Sequence, residues 1–152
     1  STNCLRRMPN NFKPLIASAI ALFFASCQSQ TTAERSELIK YEQYMYQGEQ
    51  LYQVHCLNCH QKDGSGLGKL IPPLTTSFLK TQQDLVICGI KYGLKGPLKV
   101  DSVTYNGVMP GVQRLTPLEI AEILTYINNS WGNENGPVTI QEVSKALGQC
   151  GN

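Results

Sequence analysis

Histidine is almost missing from this chain: the 152 residues contain two, His55 and His60. A structural zinc site takes four ligands, mostly cysteine and histidine, so a zinc module built on the cysteines near His60 has only His55 left as a further imidazole. Long hydrophobic runs are also missing. No stretch reaches the about 20 apolar residues that a comfortable membrane-spanning helix needs. Nor is there an excess of one charge: the chain holds 13 Lys and Arg against 11 Asp and Glu, and from Cys27 onward ten against eleven. A polyanion such as nucleic acid is therefore not indicated as a partner. No Ser-His-Asp set, no paired acid and base carboxylates and no internal repeat can be found, which leaves little room for hydrolytic catalysis.

What the chain does have is Cys56-Leu57-Asn58-Cys59-His60. Two thiols three positions apart, followed at once by an imidazole, form the attachment pattern of a c-type haem. Each thiol can add across one haem vinyl group, and His60 can then bind the iron. A bare CxxC would leave a redox pair or half a zinc site open; the adjoining histidine narrows the choice. Compartment is read from the start of the chain. From Met8 a short basic stretch precedes an apolar run over 14–25 and small residues before Cys27, the plan of a secretory signal. Ser1 to Arg7 lack an initiator methionine and read as an upstream extension, so 1–26 is set aside from the fold. Phe24-Ala25-Ser26-Cys27 resembles the lipobox of bacterial lipoproteins, which implies cleavage before Cys27 and acylation of that residue. Several acyl chains would anchor the protein firmly. The polar residues that follow read as a flexible tether through residue 35, and 36–152 as one domain.

Helix signals organise that domain. Ser36 is read as the cap of a helix running to about Val54, with Leu38, Tyr41, Met45 and Tyr52 on its apolar stripe. Thr81-Gln82-Gln83-Asp84 predicts a second helix over 85–92, ended by Gly93. Thr116-Pro117-Leu118-Glu119 combines cap, proline and glutamate ahead of a helix reaching about Trp131. Thr139 and Glu142 open a short last helix. Leu98-Lys99-Val100 and Val103-Thr104-Tyr105 flank Asp101-Ser102 as a small hairpin. Met109 sits among Gly107, Pro110 and Gly111, in turn chemistry rather than on an apolar face, and is the candidate sixth ligand; Met with His raises a haem potential relative to two histidines. His55 adjoins Cys56 and cannot easily reach the far face of the same haem, and Met45 reads as core.

With these residues in hand the chain resembles a class I, single-haem cytochrome c over about Ser36 to Trp131. The resemblance implies an all-α fold whose N- and C-terminal helices cross around one covalent haem c, with the hairpin inserted before the Met109 loop. Gly48 and Tyr52 match the family's crossing pair, facing Ile123 and Tyr126. Pro72 matches the proline whose carbonyl orients the proximal histidine, and Leu74 the residue that packs on the haem. Asp63-Gly64-Ser65-Gly66 resembles the family's loop after the motif. Cofactor-binding residues are then Cys56, Cys59, His60, Pro72, Leu74 and Met109, with His60 and Met109 on iron.

Two cysteines lie outside that pattern. In an oxidising compartment Cys88 and Cys150 invite a disulfide tying the tail to the middle helix; two unpaired thiols are the alternative. The implied function is one-electron transfer outside the cytoplasm, between a membrane quinol-oxidising complex and a terminal oxidase or reductase, without catalytic groups of its own. An open sixth position, in a ligand sensor or a haem subunit of a larger enzyme, is the competing reading. Gln28 follows the lipidated cysteine where some bacteria use aspartate for inner-membrane retention, so the anchor could lie in either membrane on the periplasmic side. Six lysines against two aspartates over Lys62 to Lys99 form either a docking face for an acidic partner or a set of scattered solvated charges.

Overall fold

The computed structural model describes residues 31–151, so the signal-like stretch, Cys27 and residues 28–30 of the tether lie outside the described residues. The main packed unit begins at Ser36. The first helix, α1, spans Thr32–His55 and buries Tyr44, Gly48 and Tyr52, three positions spaced by four that share one face. It begins before Ser36 because Thr31 and Glu34 form a capping box: the Thr31 N–H donates to the Glu34 carboxylate at 2.9 Å, and the Glu34 N–H to the Thr31 hydroxyl at 3.3 Å. Ser36 has no acidic or amide residue three positions on, so Thr31 takes the cap. The stretch read as tether is thereby helical from Thr32 to Arg35.

Two single turns follow, α2 (Leu57–His60) and α3 (Phe78–Thr81), then α4 (Gln83–Tyr92). Thr81 does not cap α4 as its sequence predicts. Its hydroxyl donates to the Ser77 carbonyl at 3.1 Å and closes α3 instead. β1 (Gly93–Leu94) leads to the hairpin of β2 (Leu98–Val100) and β3 (Val103–Tyr105), which pairs Leu98 with Tyr105 and turns at Asp101, whose φ is +51°. β4 (Met109–Pro110) returns to pair with β1. α5 (Pro117–Asn128) starts from the Thr116 and Glu119 capping box, and α6 (Ile140–Leu147) from that of Thr139 and Glu142. α5 stops before Trp131 because side chains take its last carbonyls: Asn129 Nδ2 donates to Thr125 O at 2.7 Å and the Ser130 hydroxyl to Tyr126 O at 2.6 Å.

The fold is thus all-α with two short ribbons. α5 is its core, with Ile120, Ile123, Leu124 and Ile127 buried together with Ile87 and Ile90 of α4 and Val143 and Ala146 of α6. α1 crosses α5 at Gly48. A β-carbon there would strike the Glu122 backbone carbonyl and come within 2.8 Å of the Tyr126 Cβ, so only glycine permits this approach. Tyr52, one turn on, packs its ring 5.5 Å from that of Tyr126. A disulfide joins Cys88 of α4 to Cys150 after α6, and the pair spans 62 residues of sequence. In the chain-entropy account a loop of that length stabilises by about 4 kcal/mol. We therefore expect Cys88→Ser with Cys150→Ser to lower Tm by more than about 10 °C in thermal unfolding; a shift of a degree or two would refute the estimate.

Candidate cofactor cleft

α1 carries the chain straight into the CxxCH motif, and the helix breaks at Cys56, whose φ and ψ are −121° and −34°. One further turn, α2, swings His60 inward, where it is buried. Its Nδ1 lies 3.1 Å from the Pro72 carbonyl. Burial holds the imidazole pKa below its ordinary value, while the Pro72 hydrogen bond pulls the other way. A neutral ring that donates from Nδ1 to a carbonyl keeps its Nε2 lone pair for a metal. Cys56 and Cys59 are free thiols, Cys56 half-buried and Cys59 exposed. Burial first, and the neighbouring Cys59 second, push the Cys56 thiol up to about 12. A redox CxxC needs the opposite, a thiol made acidic by its surroundings.

The loop after the motif is held by its own backbone and by three side chains. Gly66 N–H donates to His60 O at 3.1 Å and Leu74 N–H to Gly64 O at 2.7 Å. The Tyr52 hydroxyl donates to Gln61 O at 2.6 Å, the Trp131 indole to Lys62 O at 3.1 Å, and the Asn133 amide to Leu74 O at 2.7 Å. Tyr52, Tyr126 and Trp131 form a mutual cluster with centroids 5.2 to 5.6 Å apart. Burial raises the Tyr52 phenol well above its usual range, so it stays a hydrogen-bond donor. Gly66 has φ +69°, and a β-carbon on it would lie 2.6 Å from the Pro72 carbonyl oxygen, the one that faces His60.

Met109 also lines the cleft. It is paired in β4 with Leu94 of β1 rather than lying in an open loop. Cys56, Cys59, His60, Pro72, Leu74 and Met109 all line one cleft, which encloses about 1060 Å³ of atom-free space, part of it open to solvent. Leu98, Val100 and Tyr105 of the hairpin also line it, so the insertion is a wall of the cleft. His55 is not among the lining residues; its Nε2 lies 3.4 Å from Arg114 Nη2. Met45 is also outside the cleft, half-buried on α1. Among the described residues no group of three or more His, Cys, Asp or Glu side chains is placed to hold a metal ion, so the motif gains no zinc partners. Two free thiols, one neutral imidazole with its tautomer set, and one soft thioether in an apolar cleft fit a covalent haem. Trp131 and Asn133 were not singled out as site residues by sequence; a lone tryptophan just past a helix end was the only signal.

A family model described as cytochrome c matches residues 46–131. Cytochrome c-552 of Thermus thermophilus is 33% identical over 108 residues, covering 64% of this chain and 82% of that protein. The cytochrome c subunit of the quinone alcohol dehydrogenase of Gluconacetobacter polyoxogenes is 31% identical over 103 residues, covering 64% of this chain and 22% of that subunit.

The geometry at Gly66 makes a direct prediction. Gly66→Ala meets a positive φ together with the Ile71 and Pro72 carbonyls, and should cost more than about 2 kcal/mol in chemical denaturation. Gly68→Ala, with φ +52° and nothing within 4 Å, carries the backbone penalty alone and should cost only about 1 kcal/mol. Equal costs would show that the contact with the Ile71 and Pro72 backbone does not matter.

Proposed function

The chain belongs to the cytochrome c family, carries covalently bound haem c and transfers electrons; from that premise we propose that His60 and Met109 are the axial ligands of a carrier in an extracytoplasmic respiratory chain. When bound, the haem supplies a one-electron Fe(II)/Fe(III) couple. The protein's part is to hold its donors still. The observation that carries the reading is the convergence of His60, Met109, Cys56 and Cys59 on one apolar cleft. Cys56 and Cys59 would make the thioether links, Pro72 would orient the His60 ring, and Leu74 would pack on the ring system. With haem bound, His60 and Met109 would be held by the protein frame in both oxidation states, so little rearrangement would accompany electron transfer.

The donor would be a membrane quinol-oxidising complex and the acceptor a terminal oxidase or reductase. The likeness to a quinone alcohol dehydrogenase subunit supports a second reading, in which the chain takes electrons from a dehydrogenase within a larger oxidoreductase. In both readings Cys27 is the lipidated residue and the domain works on the periplasmic side of a bacterial membrane.

The oxidised protein should display the weak far-red charge-transfer band of methionine on ferric haem, and the reduced protein should ignore carbon monoxide. Met109→Ala should abolish the band, admit carbon monoxide and lower the reduction potential. A wild-type protein without the band that binds carbon monoxide readily has an open sixth position and is not a simple carrier. For the anchor, Cys27→Ala should move the haem protein from the membrane fraction to the soluble fraction on cell fractionation. Retention in the membrane fraction would count against lipidation at Cys27.

A further inference from the structure

The segment that follows Met109 has no regular structure of its own from Gly111 to Thr116. Apart from the Leu115 N–H, which donates to Val112 O at 3.1 Å, and Thr116, which caps α5, its backbone hydrogen bonds run to α4, and it is continuous with the strand that pairs with β1. Met109 pairs with Leu94 directly after that helix, and the Val112 N–H donates to Ile90 O at 2.8 Å. Lys91, in the last turn of α4, donates from its Nζ to Gln113 O at 2.6 Å and to Leu115 O at 2.7 Å. Leu115 is buried, 2% exposed, and a carbonyl in such a place needs a donor. Lysine ammonium groups usually seek water; this one is half-buried and bridges two carbonyls. Charge-assisted bonds of this kind are about twice as strong as neutral ones, and a cation is favoured at a helix C-terminus.

We propose that Lys91 is a positioning residue for Met109: its ammonium clamps the Gln113 and Leu115 carbonyls to α4 and so holds the Met109 thioether in the cleft. This rests on the reading of Met109 as the sixth ligand. Lys91 is not among the residues that line the cleft. It acts by denying the chain between Met109 and α5 the freedom to swing outward, which would carry the methionine away.

The test uses the haem-loaded protein with imidazole as a competing ligand for ferric iron. In Lys91→Met the far-red band should weaken and imidazole affinity should rise about tenfold or more, the scale of one lost charge-assisted bond. Lys91→Arg keeps the charge and N–H donors for the two carbonyls and should stay within about threefold of wild type. Should Lys91→Met fail to fold, Lys91→Gln, whose amide is too short to reach both carbonyls, should give an intermediate rise. The variant lacking Cys88 and Cys150 controls for general stability: it should lose Tm without gaining imidazole affinity. An equal gain there makes the effect one of overall loosening and overturns the proposal. So does an unchanged imidazole affinity in the Lys91 variants while wild type retains its band. A wild type without the band removes the Met109 reading and this inference with it.

Discussion

Everything in the cleft depends on how closely α1 and α5 pass at Gly48. With no β-carbon in the way, the helix backbone rests against the Glu122 carbonyl, and Tyr52 and Tyr126 meet one turn later. Residues 48 and 56 are two turns apart on one helical path, so the crossing sets where α1 ends and hence where Cys56 stands. α5 in turn is positioned by α4 and α6, which bury its other faces. The register of the motif is therefore a consequence of helix packing. A methyl group added at the crossing would push α1 outward and move the motif with it.

From that frame outward the cleft is built mostly of irregular chain, and irregular chain must find partners for its carbonyls. Here side chains supply them. Tyr52, Trp131 and Asn133 hold the loop on the His60 side, and Lys91 holds the segment on the Met109 side. Each donor comes from a helix or lies just past the end of one, so loops of low intrinsic order inherit the rigidity of the helical frame. That suits an electron carrier, whose rate benefits when the ligand shell does not reorganise. It also explains why the hairpin inserted before Met109 is tolerated: it adds Leu98, Val100 and Tyr105 to the cleft wall without interrupting the helix crossing.

Much of this was legible in sequence where the code is local. The Thr116 and Thr139 capping boxes occur where their residues announce them, and the strands about Asp101 and Ser102 have the bounds read from the sequence, because caps and two-residue turns are specified within four residues. The failures were also local contests. Thr31 outcompeted Ser36 because Glu34 completes its box, and Thr81 closed the turn before it rather than opening the helix after it. The end of α5 was misplaced because apolar spacing runs on through Trp131, whereas Asn129 and Ser130 cap the helix earlier.

The amino-acid sequence by itself determined the cofactor chemistry, the helix starts at Thr116 and Thr139, the hairpin and the glycine at the crossing, since each depends on neighbours within a few positions or on one irreplaceable residue. Only the tertiary structure decided which residues serve as supports. Lys91 meets Gln113 and Leu115, Trp131 meets Lys62, and Asn133 meets Leu74, whereas the Cys88–Cys150 bridge was already open to reading from the two leftover cysteines. The hydrogen-bonded partners lie from 22 to 69 residues apart, and no local pattern encodes them. A lysine or an asparagine reads the same in sequence whether it faces water or a backbone carbonyl, and only the packing of the chain around α5 brings these half-buried side chains within reach of carbonyls far away in sequence.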